Sequence, residues 1–367
     1  MTKISFPGLG IDEFTIDPVA ISIGDGGIRW YAIFIVTGMI LALLYCTFRA
    51  KKEGISTDTM MDFAIFTIPI GIIGARLYYV LFDWIAAIAN GKPSPYQSFY
   101  DVIAIWEGGL AIYGGIIFGA LTILVIAKVK KMSWCSLFKI ADTVAPGVMI
   151  AQAIGRWGNF CNGEAYGAAT SLPWRMCSDS FAYRLLQQKL IDKETYYQML
   201  DGTMGVHPTF LYESLWNILG FILINVFYKK KRFDGQITLM YLTWYGFGRM
   251  FIELLRTDSL TTGGSLRISS LVGLLCFIVG GSLLFALFIK NKGKCAYTPV
   301  FADSAPLETT EETVETEEPE EKEEYSDEDS TNGESTPPNE NEPNLENKNI
   351  KNPNEEKSEE KDDGKLN

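Results

Sequence analysis

The chain has 367 residues, 47% of them hydrophobic, yet its formal net charge is −12. Residues 301–367 hold 24 Asp and Glu against 6 Lys, which leaves 20 acids and 26 bases in the first 300 residues. An apolar, mildly basic body with its acidity in one terminal run excludes an evenly acidic soluble domain, and no nucleic-acid partner is expected.

In chain order, seven apolar segments are long enough to cross the roughly 30 Å hydrocarbon core of a bilayer. They lie at about 28–48, 59–81, 105–127, 134–154, 208–228, 237–255 and 268–289. Backbone polar groups inside lipid must pair within their own segment, so these are expected to be helices. The first 25 residues carry acids and prolines rather than a basic start and a short apolar run, so no cleavable leader is expected there.

Basic clusters follow every odd-numbered segment: Arg49, Lys51 and Lys52; Lys128, Lys130 and Lys131; Lys229, Lys230, Lys231 and Arg232; Lys290, Lys292 and Lys294. The positive-inside rule puts all four in the cytoplasm, with the N-terminus outside. One long outer loop remains, about 155–207, with short helices expected over 181–200. The tail is rich in Glu, Asn, Pro, Lys and Ser and buries too little apolar surface to offset the entropy of ordering. The expected fold is therefore an all-α polytopic membrane protein. It has seven transmembrane helices, a small extracytoplasmic cap (about 156–206) and a disordered acidic C-terminal tail. The division falls between a membrane domain, 1–295, and the cytoplasmic tail, 296–367.

Six cysteines, at 46, 135, 161, 177, 276 and 295, form no CxxC pair, and His207 is the only histidine. That composition speaks against a zinc enzyme, and neither metal nor cofactor is expected. Cys161 and Cys177 share the outer side, where a disulfide and two free thiols are both open.

Ionisable groups in membrane segments cost roughly 2.5–3.5 kcal/mol each on insertion scales, so each one needs a reason. By the topology above, Arg29 and Tyr31 stand at the outer start of the first segment, and Arg76 late in the second. Glu107 stands at the start of the third. Arg156, Asn159, Asn162 and Glu164 follow the end of the fourth. His207 and Glu213 open the fifth, while Arg249, Glu253 and Arg256 end the sixth. All therefore gather at the outer leaflet. A transport path would instead need polar groups through the midplane, and a structural scaffold would need no buried arginines. Chemistry on a lipid headgroup or a newly exported chain fits better. Arg249, Glu253 and Arg256 share one helix face by their i, i+4, i+7 spacing. Guanidinium is the natural bidentate partner of phosphate, so Arg156 and Arg249 are a candidate phosphodiester clamp. Gly108 and Gly109 directly follow Glu107 and are candidates for shaping the site. A lone histidine before Pro208 reads more readily as a helix-entry hydrogen-bonder than as a base.

The stretch "GRWGNFCNGEAYG" at 155–167 fills every fixed position of the pattern G-R-x-G-N-F-x-N-x-E-x-x-G. In this it resembles the prolipoprotein diacylglyceryl transferases. Further matches are "IRWYAIF" (28–34), "GARLYYVLF" (74–82), "WEGGLAIYGG" (106–115), "HPTFLYES" (207–214) and "GFGRMFIELLR" (246–256). The resemblance spans about 15–292. It implies a seven-helix bacterial membrane enzyme with an outer-leaflet site. Such an enzyme moves the diacylglyceryl group of phosphatidylglycerol to the lipobox cysteine of exported prolipoproteins, and glycerol phosphate leaves. It further implies that Arg156 and Asn159 belong to the lipid-binding and catalytic core, that Arg249 is essential, that Tyr31 is the tyrosine near the first helix start, and that Gly167 closes the signature. Asn162 and Glu164 are signature positions too. Many members have histidine where this chain has Glu107, and some have histidine at Tyr113, so a universal histidine base cannot explain this chain. Either Glu107 takes the thiol proton, or the arginine field lowers the thiol pKa without a dedicated base.

Overall fold

Residues 1–23, 26–257 and 267–293 are described in a computed structural model, and of Glu107 only the backbone. The expected acidic tail, 296–367, lies outside the described residues.

The N-terminal residues pair into two antiparallel hairpins, which the apolar pattern of the chain does not announce. The first joins β1 (Thr2–Phe6) to β2 (Ile11–Ile16), and the second β3 (Val19–Ile23) to β4 (Gly26–Arg29). The membrane helices begin with α1 (Trp30–Lys52) and α2 (Thr57–Ala89). A short helix α3 (Phe99–Ile103) and a 3-10 turn (Ile105–Glu107) lead to α4 (Ile112–Val129), which is followed by α5 (Trp134–Asn162). Between α5 and the next long helix lie β5 (Ala169–Thr170), α6 (Asp179–Gln187), α7 (Lys193–Leu200) and β6 (Gly205–Val206). The chain then continues through α8 (Thr209–Tyr228), α9 (Gln236–Leu255) and α10 (Ile268–Lys290).

All seven expected segments are thus helical, and six of the helices are long and apolar enough to cross a membrane. The exception is α9, which has the length but carries Gln236, Arg249 and Glu253. It packs between α8 and α10, so its polar groups face protein rather than lipid.

Two boundaries differ from expectation, and both matter for the site. The third segment does not start a helix at residue 105. Gly108 and Gly109 have φ of 97° and 71°, a left-handed backbone that breaks the chain between the Glu107 turn and α4. The fourth segment does not end at residue 154. It runs two turns further to Asn162 and stops at Gly163, which caps it with φ of 62°. Arg156, Asn159 and Asn162 therefore ride on the helix rather than follow it, and the cap begins after Asn162 instead of near 156. Lipid-facing hydrophobicity ends near 154, but intrahelical hydrogen bonding does not depend on it.

The long loop between α5 and α8 has a core of its own. Ile4 of the first hairpin packs with Phe181, Leu185, Met199 and Val206, and with Phe210 at the start of α8. Ser5 and Cys177 exchange backbone hydrogen bonds of 3.0 and 2.9 Å, which stitch the N-terminal hairpin to this cap. Stacked Phe160 and Phe210, 4.5 Å apart, tie the end of α5 to the start of α8.

At the other end of the bundle lies a buried ionic network that departs from the expected one-sided grouping. Fully buried Lys231 approaches Glu53 (3.2 Å), Asp142 (3.5 Å) and Asp234 (3.1 Å). Asp142 also accepts from the backbone of Gly235 and Thr238, each at 2.8 Å. Burial works against the Lys231 charge, but Asp142, Glu53 and Asp234 outweigh it and hold the ammonium above the ordinary lysine value. The Arg49 guanidinium lies 3.3 Å from the centre of the Tyr228 ring. Asp142 is nine residues into α5 and was not among the expected ionisable sites. Its partners come from the α8–α9 loop and the first turn of α9, which sequence spacing cannot bring to it.

Candidate anion-binding site

The site is assembled from three helices. On α5, Arg156 and Asn159 lie one turn apart on one face, and the Phe160–Phe210 stack sets this face against the first turn of α8. That places Glu213, 2% exposed, directly beside Arg156. One Glu213 oxygen accepts a short hydrogen bond from Arg156 Nη2, and the other accepts from Arg249 Nη1 of α9 at 2.9 Å. Arg249 Nη2 lies 2.7 Å from Glu253, one turn on in α9. Glu253 in turn has its backbone carbonyl bound by Arg267. The face shared by Arg249 and Glu253, read from i, i+4 spacing, is thus an actual ion pair.

Glu213 is the hub. Sequence reasoning put it among the supporting residues, yet among the described residues it is the one group that touches both arginines. Its own carbonyl accepts from Asn217 Nδ2 at 2.9 Å, and the neighbouring Ser214 donates to the Ala153 carbonyl of α5 at 2.9 Å. An isolated carboxylate this deep would be costly; two guanidinium partners make it tolerable.

The rest of the signature forms the rim. Arg156 Nη1 is 3.4 Å from the side-chain amide oxygen Oδ1 of Asn159. Asn159 and Asn162 both donate to one oxygen of Glu164, each at 3.1 Å. Glu164 is exposed, so its carboxylate faces outward while both asparagine amides turn toward it. Tyr31, at the start of α1, packs on α5 where only glycine fits: a methyl on Gly158 would lie 2.9 Å from the Tyr31 ring.

Gly167 belongs to the rim through its backbone. Its N–H donates to the His207 carbonyl at 2.9 Å, and it pairs as a β-bridge with Arg256. A methyl there would meet His207 Cβ at 2.7 Å and the Leu255 carbonyl at 2.8 Å. Gly167→Ala is therefore expected to destabilise the protein by about 1–3 kcal/mol, as overpacked cores do, which thermal unfolding of the purified protein would read. The His207 ring meets the Tyr212 hydroxyl at 3.2 Å, and burial holds its pKa below the ordinary histidine value.

Arg76 stands outside this chain of contacts and anchors a second cluster. Buried at 7% exposure, it donates to four backbone carbonyls: Asp101 (2.6 Å), Val102 (2.8 Å), Gly108 (2.7 Å) and Gly109 (3.2 Å). It thereby fixes the backbone on both sides of the 3-10 turn that ends at Glu107. The Glu107 side chain, expected as a candidate base, lies outside the described residues. Asp101 caps α3 by accepting from Gln97 and Ser98, and those hydrogen bonds hold its pKa below the usual carboxylate range.

Cys161 and Cys177 are both free thiols. Cys177 is buried and donates to the Met204 carbonyl at 3.3 Å, and burial raises its pKa. No group of three or more metal-ligating side chains occurs among the described residues. Cys161 is half-buried and takes part in none of the contacts above, so Cys161→Ser should keep transfer activity within about twofold, as substitutions away from such features do. A dead variant would show a role for this thiol.

Fold and site together define a class: a multi-span membrane protein carrying a half-buried guanidinium pair suited to an anionic headgroup. The chain belongs to the prolipoprotein diacylglyceryl transferase family, whose family model matches residues 18–286. The phosphatidylglycerol--prolipoprotein diacylglyceryl transferase of Listeria innocua is 40% identical over 280 residues, 75% of this chain and 91% of that protein. The protein of the same name from Streptococcus pyogenes serotype M5 is 42% identical over 285 residues, 77% of this chain and 98% of its own.

Proposed function

We propose that this protein transfers the diacylglyceryl group of phosphatidylglycerol to the lipobox cysteine thiol of exported prolipoproteins, the first step of lipoprotein maturation. The observation that carries the reading is Arg156 and Arg249 converging on the two oxygens of one buried carboxylate. Each guanidinium has five N–H donors, so engagement of Glu213 leaves others for a phosphate. The substrate thiolate attacks the glycerol carbon, a C–S bond forms, and the C–O bond to phosphate breaks. The electron pair leaves with glycerol phosphate. Arg156 and Arg249 stabilise the charge that grows on the departing oxygen. Asn159, Asn162 and Glu164 line the headgroup side, with Gly167 and Tyr31 holding the walls. Glu253 and Arg256 support Arg249 from the same helix end, while Gly108 and Gly109 shape the turn that carries Glu107.

A cysteine thiol has a pKa of about 8.5, so little is thiolate at neutral pH. Glu107 is the proposed acceptor of its proton, a role that requires a carboxyl pKa closer to neutrality than that of a free glutamate. Glu107→Gln is expected to cut transfer at pH 7 by about a hundredfold, the scale of general-base catalysis, and to lose less at pH 9, where the thiol ionises unaided. Full activity across the pH range would leave the arginine field as sufficient. The whole reading is tested by mixing purified protein, phosphatidylglycerol and a lipobox peptide in detergent and following the peptide mass.

The basic clusters after α1, α4, α8 and α10 support a location in the bacterial cytoplasmic membrane with those ends inside. The N-terminus, cap and arginine site then face outward, and the acidic tail is cytoplasmic. The catalytic unit is taken as residues 1–295.

A further inference from the structure

We propose that the wedge between α2 and α4 binds an anionic phospholipid, separate from the substrate site, with one acyl chain in the wedge and the phosphate on Lys130. The two helices touch at their glycines. A methyl on Gly114 would stand 2.3 Å from the Gly74 carbonyl oxygen, and one on Gly74 would stand 2.3 Å from Phe118 Cβ. Toward the opposite end of the bundle Gly119 still meets Thr67, and Phe66, Ile70, Leu121 and Val125, all exposed on the protein surface, line an open groove between the two helices. A cavity of about 500 Å³ remains, well within the roughly 300–1,000 Å³ of small-molecule sites. Its one lining hydroxyl, Thr122, is already spent on the Phe118 carbonyl at 2.7 Å. The walls therefore offer methylene contacts and no free polar group.

Both helices are long and apolar enough to span a membrane, so the wedge opens to hydrocarbon rather than to water. That commits the occupant to an acyl chain. The mouth decides the headgroup. Lys130 Nζ lies 2.7 Å from Asp62, with side chains 36% and 38% exposed. An exposed pair of this kind is weak and is readily exchanged for a phosphate. Lys128 and Lys131 flank Lys130, against Asp58 and Asp62 at the start of α2, so the mouth favours an anion.

The test photolabels the full-length protein in detergent with two diazirine-tailed lipids of equal chains, phosphatidylglycerol and phosphatidylcholine, and maps the labelled peptides. The α4 peptide should be labelled more by the anionic lipid, by about fivefold for one lysine–phosphate contact, and Lys130→Gln should abolish that preference. Leu121→Trp, which fills the wedge from an exposed position, should cut labelling by both lipids. In both variants, transfer to a lipobox peptide should stay near the parent rate. Labelling should also persist in Arg249→Ala, which lacks the proposed phosphate clamp. Equal labelling of the parent by the two lipids would overturn the proposal, as would labelling that survives Leu121→Trp or vanishes in Arg249→Ala. Loss of transfer in both wedge variants would overturn it too, because the wedge would then belong to the substrate path.

Discussion

Arg249→Ala should insert into the membrane and lose transfer by at least about a hundredfold, the cost of removing one donor to a developing oxyanion. Arg249 is the only residue whose guanidinium contacts both Glu213 and Glu253 among the described ion pairs, at 2.9 and 2.7 Å. Its loss removes a donor from the phosphate and leaves two carboxylates short of a partner. Their mutual repulsion is then unopposed near an anionic substrate. Arg249→Lys should fail almost as badly, because a point-like ammonium cannot reach two carboxylates and a phosphate at once. The check is single-turnover transfer from phosphatidylglycerol to a lipobox peptide, with membrane insertion verified separately. A rate within threefold of the parent would remove Arg249 from the phosphate clamp.

Glu213→Gln tests the hub. The amide keeps the size of the carboxylate but loses its charge, so Arg156 and Arg249 face each other across a neutral group. Breaking one partner of a buried ion cluster typically costs about 3–5 kcal/mol, and Glu213 has two cationic partners. A clear fall in thermal stability is therefore expected. Transfer should fall by at least about tenfold, because repulsion moves both guanidiniums away from the geometry that receives phosphate. High phosphate or excess phosphatidylglycerol should restore part of the stability by supplying the missing anion, whereas a purely structural role for Glu213 would show no such rescue.

Much of this site was legible in the sequence because its chemistry defies its surroundings. Arg156 and Arg249 stand out since lipid-facing helices do not tolerate them. What sequence could not supply was the partner. Glu213 lies 57 residues from Arg156 and 36 from Arg249, and only the packing of α8 between α5 and α9 brings the three together. The same limit hid Asp142, whose partners Gly235 and Thr238, at the start of α9, lie 93 and 96 residues away. Helix ends were misjudged where hydropathy and hydrogen bonding part company. The apolar run in α5 ends near residue 154, but its helix continues to Asn162 because Gly163 caps it there. At the other misplaced boundary, two left-handed glycines override an apolar run and detach the Glu107 turn from α4. The N-terminal hairpins carry no strong alternation, and the first of them is held by pairing of Ser5 with Cys177 of the cap.

The central claim is a group transfer onto sulfur, and its most direct measurement is stoichiometric. Purified protein is incubated with phosphatidylglycerol and a lipobox peptide; peptide mass and released glycerol phosphate are quantified together. The account predicts one diacylglyceryl addition on the cysteine for each glycerol phosphate released, and none on a peptide with serine in that place. Glycerol phosphate release without peptide modification, or modification of the serine peptide, would contradict it.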